Sequence, residues 1–97
     1  MKIFNPDTEN QTFSIIGRES VNTVNVSIYI KETRQTETFT EVGVINEVGY
    51  MTIQVPFETA NNKDFSIEVT DTDGELIWRG LAFSTDQPTQ NYKIYTV

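Results

Sequence analysis

The feature that most constrains this chain is its large share of β-branched residues and its small share of strong helix formers. Thr, Ile and Val account for 33 of the 97 residues, whereas Leu and Ala together supply four. β-Branched side chains are stiff about their first torsion and pack well on a half-buried sheet, while Ala and Leu favour helices. The composition therefore predicts an all-β protein.

Three segments alternate apolar and polar residues with the period of a strand that buries one face. They are residues 24–31, 50–55 and 65–70. Such alternation is typical of antiparallel sheets with one face on the core and one in water. We predict a strand in each segment.

Weaker runs fill the gaps between these segments, and each is bounded by Gly, Pro, Asn or Asp. They are residues 12–16, 37–45, 75–84 and 92–97. About seven short strands with no helix for a parallel crossover favour one domain, residues 1–97, folded as an antiparallel two-sheet immunoglobulin-like β-sandwich. A small closed barrel is the alternative.

The charge balance disfavours two classes of partner. Fourteen acidic and seven basic residues give a net charge of −7, which repels phosphate backbones and anionic lipids. No run approaches the roughly 18 apolar residues of a spanning helix, and Pro6 and Asp7 interrupt the amino terminus before a secretory signal develops. We expect no nucleic-acid or membrane partner, and synthesis in the cytoplasm without secretion.

The chain lacks the side chains on which most enzyme mechanisms depend. It contains no histidine and no cysteine, which removes the commonest general base and metal ligand and the best nucleophile. The serines have no histidine to activate them, and a carboxylate pair on a short acidic chain arises easily by chance. We expect a protein with no catalytic residues and no cofactor.

One turn carries the spacing of oxygen ligands for a cation. Asp71, Asp73 and Glu75 alternate around an Asp-Gly sequence that ends at Gly74. A calcium loop would need further acidic positions and a closing glutamate, but the chain continues into an apolar run. Asp-Gly is also a favoured hairpin sequence, so we expect a hairpin turn and no metal site.

Residues 76–83 are apolar on both faces, unlike their neighbours. We expect Trp78 and Phe83 to fill the core, with a loop or the amino-terminal segment covering the other face. The alternative is that one face, including Arg79, docks on another subunit, since Trp, Tyr and Arg are enriched in interface hot spots.

Tyrosines supply the other candidate interface residues. Tyr29 and Tyr50 are in phase with polar neighbours and are predicted to face away from the core. Tyr95 lies in the terminal run, which alternates up to the last residue; a strand there at a sheet edge offers free backbone groups to another chain. The predicted interface set is therefore Tyr29, Tyr50, Arg79 and Tyr95.

The whole chain resembles the short immunoglobulin-like structural proteins of tailed bacteriophages, the crAss-like phages included. The resemblance lies in its Thr- and Asn-rich strands, in the hairpin segment 71–80 and in the terminal segment 91–97. It implies a virion component, an auxiliary or decoration protein bound in many copies to the major capsid protein or to other virion subunits on the outer capsid lattice. A tail or neck position fits the same residues. Glycan or cell-surface binding by a displayed sandwich module is the alternative function.

Overall fold

The computed structural model describes residues 2–17 and 21–85, and in this part of the chain every regular element is a β-strand. The all-β prediction is confirmed. The seven strands are β1 (Lys2–Phe4), β2 (Gln11–Ile15), β3 (Thr23–Ile30), β4 (Gln35–Glu47), β5 (Tyr50–Val55), β6 (Asp64–Thr70) and β7 (Leu76–Ser84).

Six of these strands correspond to predicted segments, but the set of seven differs from the predicted one. The three alternating segments are β3, β5 and β6, and the runs 12–16, 37–45 and 75–84 are β2, β4 and β7. The predicted strand at 92–97 lies outside the described residues. β1 was not predicted, because its three residues are too few to display a period.

All seven strands belong to one curved, nearly barrel-shaped mixed sheet in the order β1-β7-β6-β3-β4-β5-β2. The expectation of a purely antiparallel arrangement is wrong at β1, which runs parallel to β7 with Lys2 opposite Ala82. β1 and β2, at the two ends of this order, contact each other. The two separate layers of a sandwich are not confirmed, since β4 joins both parts of the sheet.

β4 changes partner along its length at a bulge. Residues 35–43 pair with β3, and residues 44–47 pair with β5. Val24 pairs with Val42 and Val26 with Phe39, so the register shifts around Asn25. The Asn25 side-chain oxygen accepts a hydrogen bond from the backbone N–H of Glu41 at 3.1 Å, and Glu41 has a φ of 54°. Bulges bend strands, and here the bend carries β4 from one half of the sheet to the other.

The core lies on the concave side of the sheet. Its side chains occupy alternate strand positions, as the period-two pattern predicts, with Val24, Val26 and Ile28 fully buried on β3. Four phenylalanines form its aromatic part, with neighbouring ring centroids 5.4 to 6.2 Å apart. They are Phe4, Phe13, Phe57 and Phe65. Phe57 lies in the connection after β5, so the core also depends on a loop residue.

The predicted hairpin between β6 and β7 is confirmed. Gly74 has a φ of 92°, which explains a glycine at this position. One carboxylate oxygen of Asp71 accepts hydrogen bonds of 2.9 Å from the backbone N–H groups of Asp73 and Glu75. Asp71 therefore organises the turn with its own side chain, as Asp commonly does in turns.

Candidate functional site

The first candidate residue, Tyr29, lies on the convex face of the sheet. It is 37% exposed and stands between Thr36 on β4 and Ser66 on β6. With Ser27 and Glu68 these residues line a shallow depression of about 320 Å³. Hydroxyl groups and one carboxylate therefore surround an exposed aromatic ring, and the prediction that Tyr29 faces away from the core agrees with its exposure.

Arg79 lies on the same face as Tyr29. It is opposite Glu68 on β6, and its Nη2 and Nε atoms donate to one Glu68 carboxylate oxygen at 2.8 and 3.0 Å. Both side chains are largely exposed, at 65% and 45%. Exposed ion pairs of this kind contribute little to stability. Arg79 thus has an intramolecular partner that a docking surface would have to displace or share.

Tyr50 belongs to a different surface. It begins β5 next to the two-residue turn of Val48 and Gly49, and it is 44% exposed. Three more apolar residues are exposed here: Val48 at 100%, Ile16 at 80% and Ile45 at 63%. We call these four residues, Ile16, Ile45, Val48 and Tyr50, the apolar patch.

The strand register places three of the four residues of the apolar patch on one side of the sheet, and Val48 lies in the turn next to them. Tyr50 pairs with Glu47, and Ile45 pairs with Thr52, two residues further along β5. Residues two apart on a strand share a face, so Ile45 and Tyr50 lie diagonally on the same face. Ile15 pairs with Met51, and both are buried. Ile16 and Tyr50 come next on the two antiparallel strands, so they lie side by side on the opposite, exposed face.

A groove extends the face that carries the apolar patch. It has a volume of about 500 Å³ and is lined by Asn10, Thr12, Gly43, Ile45, Thr52, Gln54 and Pro56. These residues come from β2, β4, β5 and the adjoining loops, and only Ile45 and Pro56 among them are apolar. The face therefore has an apolar end and a polar groove, which is the composition of many protein interfaces.

The predicted interface set is thus divided between two surfaces. Tyr29 and Arg79 lie on the face of β3, β6 and β7, whereas Tyr50 lies on the face of β4, β5 and β2. Tyr95 lies outside the described residues. Sequence reasoning missed Ile16, Ile45 and Val48. Val48 had a readable signal, because an apolar residue beside Gly49 occupies a turn position where polar residues are usual.

Trp78 contributes to packing, as predicted. Its ring centroid lies 6.3 Å from that of buried Phe13, and Lys2 Nζ lies 5.5 Å from the ring. The ring also covers Gly80, where an added Cβ would lie 2.3 Å from a ring carbon. Phe83 differs from the prediction: it alternates with buried Ala82 and Ser84 and is only half-buried. The phase of the strand therefore puts it on the side opposite Ala82.

The buried polar side chains of the described residues serve the fold. Gln11 donates to the carbonyl oxygens of Asn5 and Phe57 at 2.7 and 3.0 Å and accepts from the Asn5 N–H at 2.8 Å. The Ser84 hydroxyl donates to the Ala60 carbonyl oxygen at 2.6 Å. Within residues 2–17 and 21–85 no buried side-chain donor or acceptor lacks a hydrogen-bond partner.

Two further findings concern the same described residues. They contain no group of three or more Asp and Glu side chains placed to hold a metal ion. No helix among them has the length and apolarity to cross a membrane.

Comparison of the chain with family models, with curated proteins and with solved structures finds no match.

Proposed function

We propose that this chain is a non-enzymatic virion structural protein, an auxiliary or decoration protein that binds in many copies to the outer capsid lattice of a tailed bacteriophage. It docks on the major capsid protein through the apolar patch and the adjoining groove. The observation that carries the proposal is the exposure of three large apolar side chains on one side of the sheet, Ile16, Ile45 and Tyr50, together with Val48 in the adjoining turn. Exposed apolar residues that cluster in this way mark interaction surfaces.

Charge and sequence style support the virion part of the proposal. A net charge of −7 favours a position outside the shell, away from packaged DNA. A capsid lattice repeats the same docking site, so one patch on each copy is enough to place many copies on the shell. The resemblance of the strands and of the 71–80 hairpin to phage structural proteins points to the same class. A tail or neck site would use the same surface on a different subunit.

We also propose that the curved sheet is an immunoglobulin-like arrangement in which β4 is shared by two layers. One layer would contain β1, β7, β6, β3 and the first half of β4, and the other β2, β5 and the second half of β4. The strand order and the change of partner along β4 support this grouping.

Co-sedimentation with capsid shells tests the proposed function. The shells are assembled from the major capsid protein encoded in the same phage genome, and we expect the purified chain to sediment with them. Tyr50→Ser combined with Val48→Ser should weaken shell binding by about tenfold or more, since an apolar anchor is lost from the interface centre. Tyr29→Ser, on the other surface, is the matched control and should bind normally.

Three results would contradict the proposal. They are a chain that does not sediment with the shells, equal binding by the Tyr50 double variant, and a gene outside any set of virion genes. Circular dichroism of each variant distinguishes a lost contact from a lost fold.

One observation favours glycan binding as the second candidate. The depression around Tyr29 combines an exposed aromatic ring with three hydroxyl side chains and Glu68. Sugars are recognised by rings that stack on their apolar faces and by polar groups that bind their hydroxyls. If the chain fails to bind shells, loss of binding to a glycan array in the Tyr29→Ser variant would establish this function instead.

A further inference from the structure

Among the strands that the structure describes, the first half of β4 pairs with β3 alone. Gln35, Glu37 and Phe39 pair with Ile30, Ile28 and Val26 of β3. On the opposite side of residues 35–41, no strand among residues 2–17 and 21–85 is paired with β4. The outward N–H and C=O groups of such an edge can pair with an extended segment of another chain.

A cleft of about 260 Å³ lies beside this edge, between the β3–β4 turn and the loop that follows β5. Phe57 and Phe65, each at most 2% exposed, and the half-buried Ile30 supply its apolar lining. Glu37 and Glu58, both exposed, lie at its rim. We call this feature the β4-edge cleft.

The charge of the β4-edge cleft is negative. Its one basic residue, Lys63, forms an ion pair with Glu32. Among the described residues, Glu37 and Glu58 form no ion pair. An apolar lining with uncompensated carboxylates at the rim suits a lysine or arginine side chain, whose alkyl part packs on apolar groups while its charged end stays in water.

Glu37 connects the free edge with the cleft. It is opposite Ile28, which is fully buried, so both side chains are directed to the concave side of the sheet. A carboxylate directed inward at a sheet edge disfavours an uncharged or acidic incoming strand. A basic side chain on the incoming strand would neutralise it.

We propose that the edge of β4 with which no strand of residues 2–17 and 21–85 pairs, together with the β4-edge cleft, binds an extended basic segment of a partner protein. The segment adds as a strand along residues 35–39, and one of its lysine or arginine side chains enters the cleft against Glu37. A second copy of this chain is a poor occupant, because it carries 14 acidic and seven basic residues. The site is separate from the apolar patch, so the inference does not depend on capsid binding.

Titration of the full chain, followed by nuclear magnetic resonance of its amides, tests the proposal. The probe is a capped octapeptide that alternates threonine and lysine, and the comparison peptide has glutamate in place of lysine. We expect the lysine peptide to shift the amides of residues 35–39 and 57–60 and to slow hydrogen exchange along β4. The glutamate peptide should do neither.

A matched pair of variants isolates the role of Glu37. Glu37→Gln should weaken binding of the lysine peptide by about tenfold, the loss expected for a charge-assisted contact in a partly desolvated site. Glu47→Gln makes the same change at the other end of β4, and its affinity should stay within about twofold of the unmodified chain.

Four results would overturn the proposal. They are no shifts at millimolar lysine peptide, equal effects of the two variants, shifts centred on the apolar patch, and binding without protection of the β4 amides. The second of these would mean general attraction to an acidic surface. Retention of peptide binding in the Tyr50 double variant would show that the two surfaces act separately.

Discussion

The central strands β3 and β6 belong to the same sheet as the first half of β4, yet they differ from it in burial and in the number of neighbouring strands. On β3 and β6 most inward side chains are fully buried, namely Val24, Val26, Ile28, Ile67 and Val69. On the first half of β4 the inward positions include exposed Gln35 and Glu37. The inward side chains of a strand paired on both sides pack in the core. The inward side chains of a strand paired on one side can stay exposed and can contact a partner.

Loss of an inward side chain should destabilise the protein much more on β6 than loss of an exposed one on the first half of β4. Ile67→Ala removes a fully buried side chain at the centre of β6 and should lower the free energy of unfolding by about 2–5 kcal/mol. Thr38→Ala, on the exposed half of β4, should change it by less than about 0.5 kcal/mol. Urea denaturation of both variants measures the difference. Similar losses in the two would mean that β4 is as tightly packed as β6.

A second pair of variants compares two glycines within strands. An added Cβ at Gly80 on β7 would meet the Trp78 ring at 2.3 Å, whereas one at Gly43 on β4 meets nothing within 4 Å. Because Trp78 also packs on Phe13, Gly80→Ala should cost about 1–3 kcal/mol of stability. Gly43→Ala should be neutral or slightly stabilising, since alanine has fewer unfolded conformations to lose.

Thermal unfolding followed by tryptophan fluorescence checks this pair. Gly80→Ala should change both the melting temperature and the native emission of Trp78. An unchanged emission spectrum would show that the ring does not lie over Gly80.

The central strands could be predicted from the sequence, whereas the first half of β4 could be predicted only in part. β3 and β6 were readable because burial of one face imposes a period of two on the residues. Apart from Phe39, residues 35–41 of β4 are all Thr, Glu or Gln and show little period, so the length of β4 and its change of partner were not predictable. The bend in β4 depends on a hydrogen bond from the Glu41 N–H to the Asn25 side chain, and these residues lie on different strands. Parallel pairing of β1 depends in the same way on a distant strand, β7.

The candidate surfaces were less predictable than the strands. Period alone indicated that Tyr29 and Tyr50 face away from the core. It did not show that they lie on different surfaces, because that depends on strand order. The β4-edge cleft brings together Glu37, Phe57 and Glu58 from two segments. No spacing within the sequence signals that arrangement.

The ion pair between Arg79 and Glu68, on the exposed face of β6 and β7, should contribute little to the free energy of unfolding. A double-mutant cycle on Arg79→Ala and Glu68→Ala should give a coupling of about 0.2–1 kcal/mol, as for other exposed ion pairs. The coupling should fall in about 1 M salt, where screening acts over a few ångströms. Urea denaturation at low and high salt provides the four free energies.

The size of this coupling also tests whether the face around Tyr29 is open to water. The side chains of Arg79 and Glu68 are 65% and 45% exposed. Because water solvates both charges, the ion pair should add little to the free energy of unfolding. A coupling above about 2 kcal/mol that persists in high salt would require a desolvated pair. In that case another segment or molecule covers this face, and neither Tyr29 nor Arg79 is open to a partner in the way that their exposure indicates.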